Sequence, residues 1–329
     1  MRCIGIPHSV RENLLMASQV TPRSLLDDTD DVLADRSTFV DRMILFYFVA
    51  VGLLIYIFRA NLPGWPQFLV LHFFGIAAVF LLLFAGIIWR PVKVLRDWYA
   101  LLFFIVGFEE VARLSHLIVP AWQDRYLLAL ESKVFPVPPT AWFANFASTP
   151  LTELMQVGYF TFYVVFFLVG APLYAKHRAA FHWMIATLVL GYLLCFTIYI
   201  GFPTEGPART LAHLHPQPLR GYVFHWMVTF IQDQGGVHGN AFPSAHVAAG
   251  TVCALFAGRF LPRVARWLTP LIVLLGFGAV YDRYHYVSDV IGGIIIAFLA
   301  WRIMRVIEER PRLAMALRLP SPEDLHSSA

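Results

Sequence analysis

The chain has 329 residues, of which 58% are hydrophobic and only 14% charged, with a net charge of +4 and a mean hydropathy of +0.64. Charged residues usually make up about a quarter of a soluble chain, and one soluble core could not bury so many long apolar runs. The basic residues sit in short clusters between those runs rather than on one stripe, which argues against a nucleic-acid partner, and the three cysteines (Cys3, Cys195, Cys253) have neither metal nor disulfide-framework spacing.

In chain order, residues 1–42 are polar and acidic from Asp27 to Asp35. They lack the basic-then-apolar order of a signal peptide, so they read as a cytosolic tail and the first span directs insertion. Eight apolar stretches follow, at 43–59, 66–89, 98–118, 152–174, 181–201, 244–261, 267–282 and 287–307, the sixth and seventh being short. Each is near the ~20 residues that a bilayer core requires. The expected fold is all-α, a polytopic transmembrane bundle of about eight spans. It divides into N-terminal transmembrane helices at 43–118, a membrane domain at 119–307 and a cytosolic tail at 308–329.

Lys and Arg follow the second, fourth, sixth and eighth stretches, as at Arg90, Lys93, Arg96, Lys176, Arg178, Arg259, Arg263, Arg266, Arg302 and Arg305. With eight spans these clusters share one side, and the excess of positive charge makes that side cytoplasmic. Both termini are then inside, and the linkers at 60–65, 119–151, 202–243 and 283–286 are outside.

The third stretch carries Glu109, Glu110, Arg113 and His116, where ionised groups are costly and are expected to face the bundle interior. Glu109 and Arg113, four apart, suit a structural pair, with headgroup contact as the alternative. From Trp122 to Phe135, apolar Trp122, Tyr126, Leu130 and Phe135 recur near helical spacing among Asp124, Arg125, Glu131 and Lys133. That pattern predicts a short helix lying on the outer leaflet. The linker from Phe202 to Asn240, rich in Pro, Gly and His, is too long for a simple connection and reads as a functional loop. It holds Glu205, a second possible headgroup contact, and Arg209, a candidate phosphate ligand. His213 and His215 in the same linker have no evident third ligand, so no metal site is expected.

Two segments can carry chemistry. Phe242-Pro243-Ser244-Ala245-His246 opens the sixth stretch, where a helix N-terminus offers amides and a positive dipole end to a phosphate. Tyr281 to Asp289 joins the last two stretches and contains Arg283, His285 and Asp289. His285 and Asp289 are four apart and can share a helix face, so the carboxylate can fix the imidazole tautomer. Arg283 adds a cation suited to phosphate. The charge-derived topology puts Arg209, Ser244, His246, Arg283, His285 and Asp289 on one face, a plausible anionic-phosphate site.

Pro243-Ser244-Ala245-His246 and His285-Tyr286-Val287-Ser288-Asp289 resemble the paired signatures of the type-2 phosphatidic acid phosphatase superfamily. Val280 to Tyr286, and Asp124 to Tyr163 with Glu153, Tyr159 and Tyr163, are similar to its inositol phosphorylceramide synthase branch. The resemblance spans roughly 120–300 and implies an embedded six-helix phosphatase-like core. It implies that His285 is the nucleophile, that Asp289 orients it, and that His246 protonates the leaving group. Arg209, Ser244 and Arg283 would hold the phosphate, and no metal or cofactor is implied. The position six before His285, an arginine across the broader superfamily, is Ala279 here. The expected substrate is a membrane phospholipid or lipid phosphate, with water or a lipid alcohol as acceptor. A transporter would instead spread ionisable groups through the bundle depth. A lipid-binding relative without catalysis is the remaining alternative.

Overall fold

Every apolar stretch expected from the sequence becomes helix. The computed structural model describes residues 38–88, 90–215, 217–235 and 238–320, so most of the N-terminal tail and the chain from 321 onward lie outside the described residues. The first helix, α1 (Phe39–Ile57), starts where a capping box can form. Asp41 accepts the Thr38 amide at 2.7 Å and Thr38 Oγ1 accepts the Asp41 amide at 3.4 Å, so two otherwise orphaned donors are satisfied. It is followed by α2 (Trp65–Ile88), α3 (Arg90–Trp98) and α4 (Ala100–Arg113).

Two short surface helices, α5 (Asp124–Glu131) and α6 (Pro139–Ala144), lead to the long α7 (Thr149–Lys176) and α8 (Arg178–Gly201). The 202–240 linker contains α9 (Pro207–Thr210) and α10 (Val223–Gly235). The chain closes with α11 (Ala245–Phe260), α12 (Pro262–Tyr281), α13 (Val287–Glu308) and α14 (Pro311–Ala316). Among the described residues, six helices (α1, α2, α7, α8, α12 and α13) are long and apolar enough to cross a membrane. With the shorter α4 and α11 they make up the expected polytopic helical bundle.

The third and seventh spans differ from their expected bounds. The third does not run to 118: α4 stops at Arg113, and the backbone turns before Pro120, which disfavours helix at the residue preceding it. The seventh is not short. Pro262 suits the first helical turn, where its missing amide costs nothing, and the helix runs 20 residues from there.

The core is organised around α11, which packs against α7, α8, α12 and α13. A helix enclosed on all sides needs small residues, and Ala248, Ala249, Gly250 and Cys253 are buried there. The closest approach is at Gly293 of α13, where a Cβ would collide with the Ser244 carbonyl. Glycine is the residue that lets α13 meet the start of α11.

The two ends of the bundle differ chemically. At one end, basic residues are paired: Arg96 with Asp41 at 3.2 Å, Arg178 with Asp97 at 2.6 Å, and Arg259 with Glu308 at 2.6 Å. The other end gathers the 203–210 loop, the start of α11 and the turn between α12 and α13.

Candidate active site

The α12–α13 turn is tight because one carbonyl closes it. Ala279 O accepts the amides of Tyr284 (3.0 Å) and His285 (2.9 Å), and Arg283 takes a left-handed conformation with φ 67°. A non-glycine residue there costs about 1–2 kcal/mol. Position 279 is thus a fully buried small residue whose carbonyl builds the turn.

His285 projects from this turn, one residue before the N-cap of α13. Its Nδ1 lies 3.0 Å from Ala241 O and 3.3 Å from Asp289 Oδ2. Both partners are acceptors, since a carbonyl cannot donate, so Nδ1 carries the proton and Nε2 of the neutral ring presents its lone pair. Asp289 also accepts the Tyr286 amide at 2.8 Å, which caps the first turn of α13. Its other oxygen, Oδ1, is buried with no hydrogen-bond partner among the described residues.

The His246 ring stands 6.0 Å from that of His285, centroid to centroid. Phe162 at 4.1 Å, Tyr159 at 5.3 Å and Phe108 at 5.8 Å enclose it. Its Nδ1 is buried with no hydrogen-bond partner among the described residues. The third member expected here, Ser244, is fully buried and caps α11, its Oγ accepting the Val247 amide at 3.3 Å.

The open amide cradle expected at the start of α11 is largely filled. Tyr199 Oη accepts the Ala245 amide at 3.2 Å while donating to Pro243 O at 2.7 Å, and Ser244 holds the Val247 amide. Buried donors must be satisfied, and the fold satisfies these internally.

The arginines are less convergent than the histidines. Arg283 donates to Gln217 O at 3.1 Å, while its Nε is buried without a partner among the described residues. Arg209 lies 3.0 Å from His238 and 3.9 Å from Glu205, and its side chain is 55% exposed. Neither is hydrogen-bonded to the histidine pair. Glu109 and Arg113 do pair, at 3.6 Å, but at the rim, with Arg113 67% exposed. The interior position in that helix belongs to Glu110, which accepts Tyr47 Oη at 2.7 Å and lies 2.6 Å from His72 Nε2. The expectation that Arg113 faces the interior is therefore corrected, because Glu110 points inward on that helix.

Two carboxylates without an expected role hold the site in place. Asp124 accepts the amides of Glu205 and Gly206, each at 2.8 Å, Thr210 Oγ1 at 3.3 Å and Tyr286 Oη at 3.1 Å. Glu131 accepts the Ser288 amide at 2.7 Å and its hydroxyl at 2.9 Å. On α5 the buried face is Asp124, Leu127 and Glu131, whereas Tyr126 and Leu130 are more than half exposed. The apolar spacing read from the sequence is the outward face of an interfacial helix. The signal for the inward one was two carboxylates seven apart, two helical turns.

Among the described residues, no group of three or more His, Cys, Asp or Glu is placed to hold a metal ion. The arrangement is a helical membrane site in which a buried His–Asp pair faces a second histidine. A family model described as the PAP2 superfamily matches residues 125–303, more than half of the chain, and the chain belongs to that superfamily. It is also 27% identical, over 177 residues, to undecaprenyl-diphosphatase BcrC of Bacillus subtilis (strain 168), covering 51% of this chain and 78% of that protein. No solved structure gives a significant match. Family and fold together support a membrane lipid phosphatase.

Proposed function

We propose that this chain transfers a phosphoryl group from a phospholipid or lipid phosphate through a phosphohistidine on His285. Nε2 attacks phosphorus, the bond to the leaving oxygen breaks, and His246 delivers a proton to that oxygen. Ala241 O and Asp289 hold Nδ1–H and stabilise the cation that develops on the ring. Water then attacks the phosphohistidine to release phosphate, or a lipid hydroxyl attacks it and receives the group. Similarity to the inositol phosphorylceramide synthase branch favours transfer of a phospho-headgroup to a lipid alcohol, whereas the Bacillus subtilis relative is named for hydrolysis of a lipid diphosphate.

The observation that carries the reading is the pair of acceptors around His285 Nδ1, Ala241 O and Asp289 Oδ2, which favours Nε2 as the nucleophile beside His246. Arg283, with an unpartnered buried Nε, the exposed Arg209 and the Ser244 hydroxyl are the proposed phosphate ligands. Glu205, Glu109 and Arg113 are proposed headgroup contacts at the rim. The positive-inside pattern supports an active site on the non-cytoplasmic face, with both termini cytoplasmic.

Phosphate or headgroup release from phosphatidic acid, a polyprenyl diphosphate and a phosphoinositide, by detergent-purified wild type beside His285→Ala, tests this. The expected result is turnover that the substitution abolishes. Equal turnover in both would sink the nucleophile assignment.

A further inference from the structure

The carbonyl that meets His285 Nδ1 belongs to no helix. Residues 239–242 run between α10 and α11 as irregular chain, and Ala241 is buried within them. A carbonyl on such a segment is not aimed by a helical ladder, so neighbouring groups must fix its direction. Thr204 does so on one side: its carbonyl accepts the Ala241 amide at 3.3 Å and its hydroxyl accepts the Phe242 amide at 2.7 Å. On the other side stands Asn240, whose Nδ2 donates to Phe108 O of α4 at 2.9 Å.

Asn240 is 2% exposed and has φ 61°, a left-handed conformation that asparagine tolerates better than most residues. Its Oδ1 is buried without a partner among the described residues. A residue present only to fill space would not leave a buried acceptor unpaired. Phe108 lies more than a turn before the end of α4 at Arg113, where carbonyls already have intrahelical partners, so this bond is not needed to finish that helix. What asparagine adds is a donor and tolerance of the turned backbone. The same Phe108 presents its ring to His246, 5.8 Å centroid to centroid. One residue of α4 thus braces both histidines: His246 through its ring, and His285 through its carbonyl, Asn240 and Ala241.

We infer that Asn240 is a positioning residue for phosphoryl transfer, its amide on Phe108 O and its left-handed backbone aiming the Ala241 carbonyl at His285 Nδ1. This deepens the phosphoryl-transfer reading above and rests on it. It also gives α4 a part in the chemistry, although α4 lies before the residues 125–303 that match the superfamily. Ala241 O and Asp289 Oδ2 are then two acceptors for one N–H, each able to hold the tautomer when the other is weakened. An asparagine that only supported the loop would lower turnover independently of Asp289.

The test is a double-mutant cycle. Asn240→Gly keeps the left-handed backbone accessible and removes the amide. Phosphate release from phosphatidic acid, a polyprenyl diphosphate and a phosphoinositide is measured for detergent-purified wild type, Asn240→Gly, Asp289→Asn, the double variant and His285→Ala, with thermal midpoints. Asn240→Gly is expected to lower kcat about 2- to 10-fold with KM nearly unchanged. The double variant should lose at least about tenfold more than the product of the two single losses, because neither acceptor then covers for the other. The second readout needs no turnover: nitrogen-15 NMR of histidine-labelled protein, with the His285 signals identified by their absence from His285→Ala. The neutral ring should carry its proton on Nδ1 in wild type and populate both tautomers in the double variant. Single losses that simply multiply, a raised KM with kcat unchanged, or an unaltered tautomer in the double variant would each overturn the inference. Wild-type turnover in His285→Ala would instead sink the nucleophile, and with it any catalytic role for Asn240, whatever the tautomer shows.

Discussion

Replacing Asp289 with asparagine discriminates between two ways of holding a catalytic histidine. Where a carboxylate is the sole partner of Nδ1, the amide allows the wrong tautomer, and the loss is about four orders of magnitude. Here Nδ1 is shared between Ala241 O at 3.0 Å and Asp289 Oδ2 at 3.3 Å, and the shorter contact is to the backbone. The carbonyl survives the substitution and still demands a proton on Nδ1. The asparagine oxygen can also still accept the Tyr286 amide and cap α13. What is lost is the charge-assisted part of the interaction, worth about 1.5–3 kcal/mol. At about 1.4 kcal/mol per decade, that predicts a fall in kcat of about 10- to 150-fold. The assay is initial-rate phosphate release beside His285→Ala, with the thermal midpoint checked for folding. A loss as deep as that of His285→Ala in a folded protein would refute the idea that Ala241 holds the tautomer.

Asp124→Ala removes the acceptor of four hydrogen bonds, two of them from backbone amides at 2.8 Å. A loss of about 3–5 kcal/mol is expected, with turnover reduced in the fraction that folds; a change in unfolding free energy under about 1 kcal/mol would contradict the anchoring role. The Asp282 carboxyl is raised well above its ordinary range, chiefly by burial, against the lowering effect of Arg283. The folded chain therefore binds this proton more readily than the unfolded chain, so stability falls as pH rises through the interval between the two values. Asp282→Asn should accordingly gain most in thermal midpoint over wild type near neutral pH, with the gain shrinking on acidification. Midpoints that run parallel with pH would count against a raised Asp282.

The wrong side of α5 was the more visible one in the sequence. Tyr126 and Leu130 mark an amphipathic helix, and in a membrane the apolar face points out, so the informative face is the polar one that turns in. Asp124 reaches Tyr286 across 162 residues of chain and Glu131 reaches Ser288 across 157. No local pattern encodes such pairings.

By itself the sequence determined what depends on local periodicity and composition. The apolar stretches had to become helices because a bilayer leaves backbone groups no other partner. The spacing of His285 and Asp289 let them meet across one turn. Only the tertiary structure decided which atoms remain free. Ala241 O closes on His285 across 44 residues, Tyr199 fills an amide at the start of α11, and Glu110 rather than Glu109 takes the interior position. Among the described residues, the Asp282 carboxylate oxygens and Gln156 Oε1 are left without donors by the same packing. These outcomes depend on how α7, α8, α11, α12 and α13 pack, because burial determines which polar atoms must find a partner and packing determines whether one is within reach.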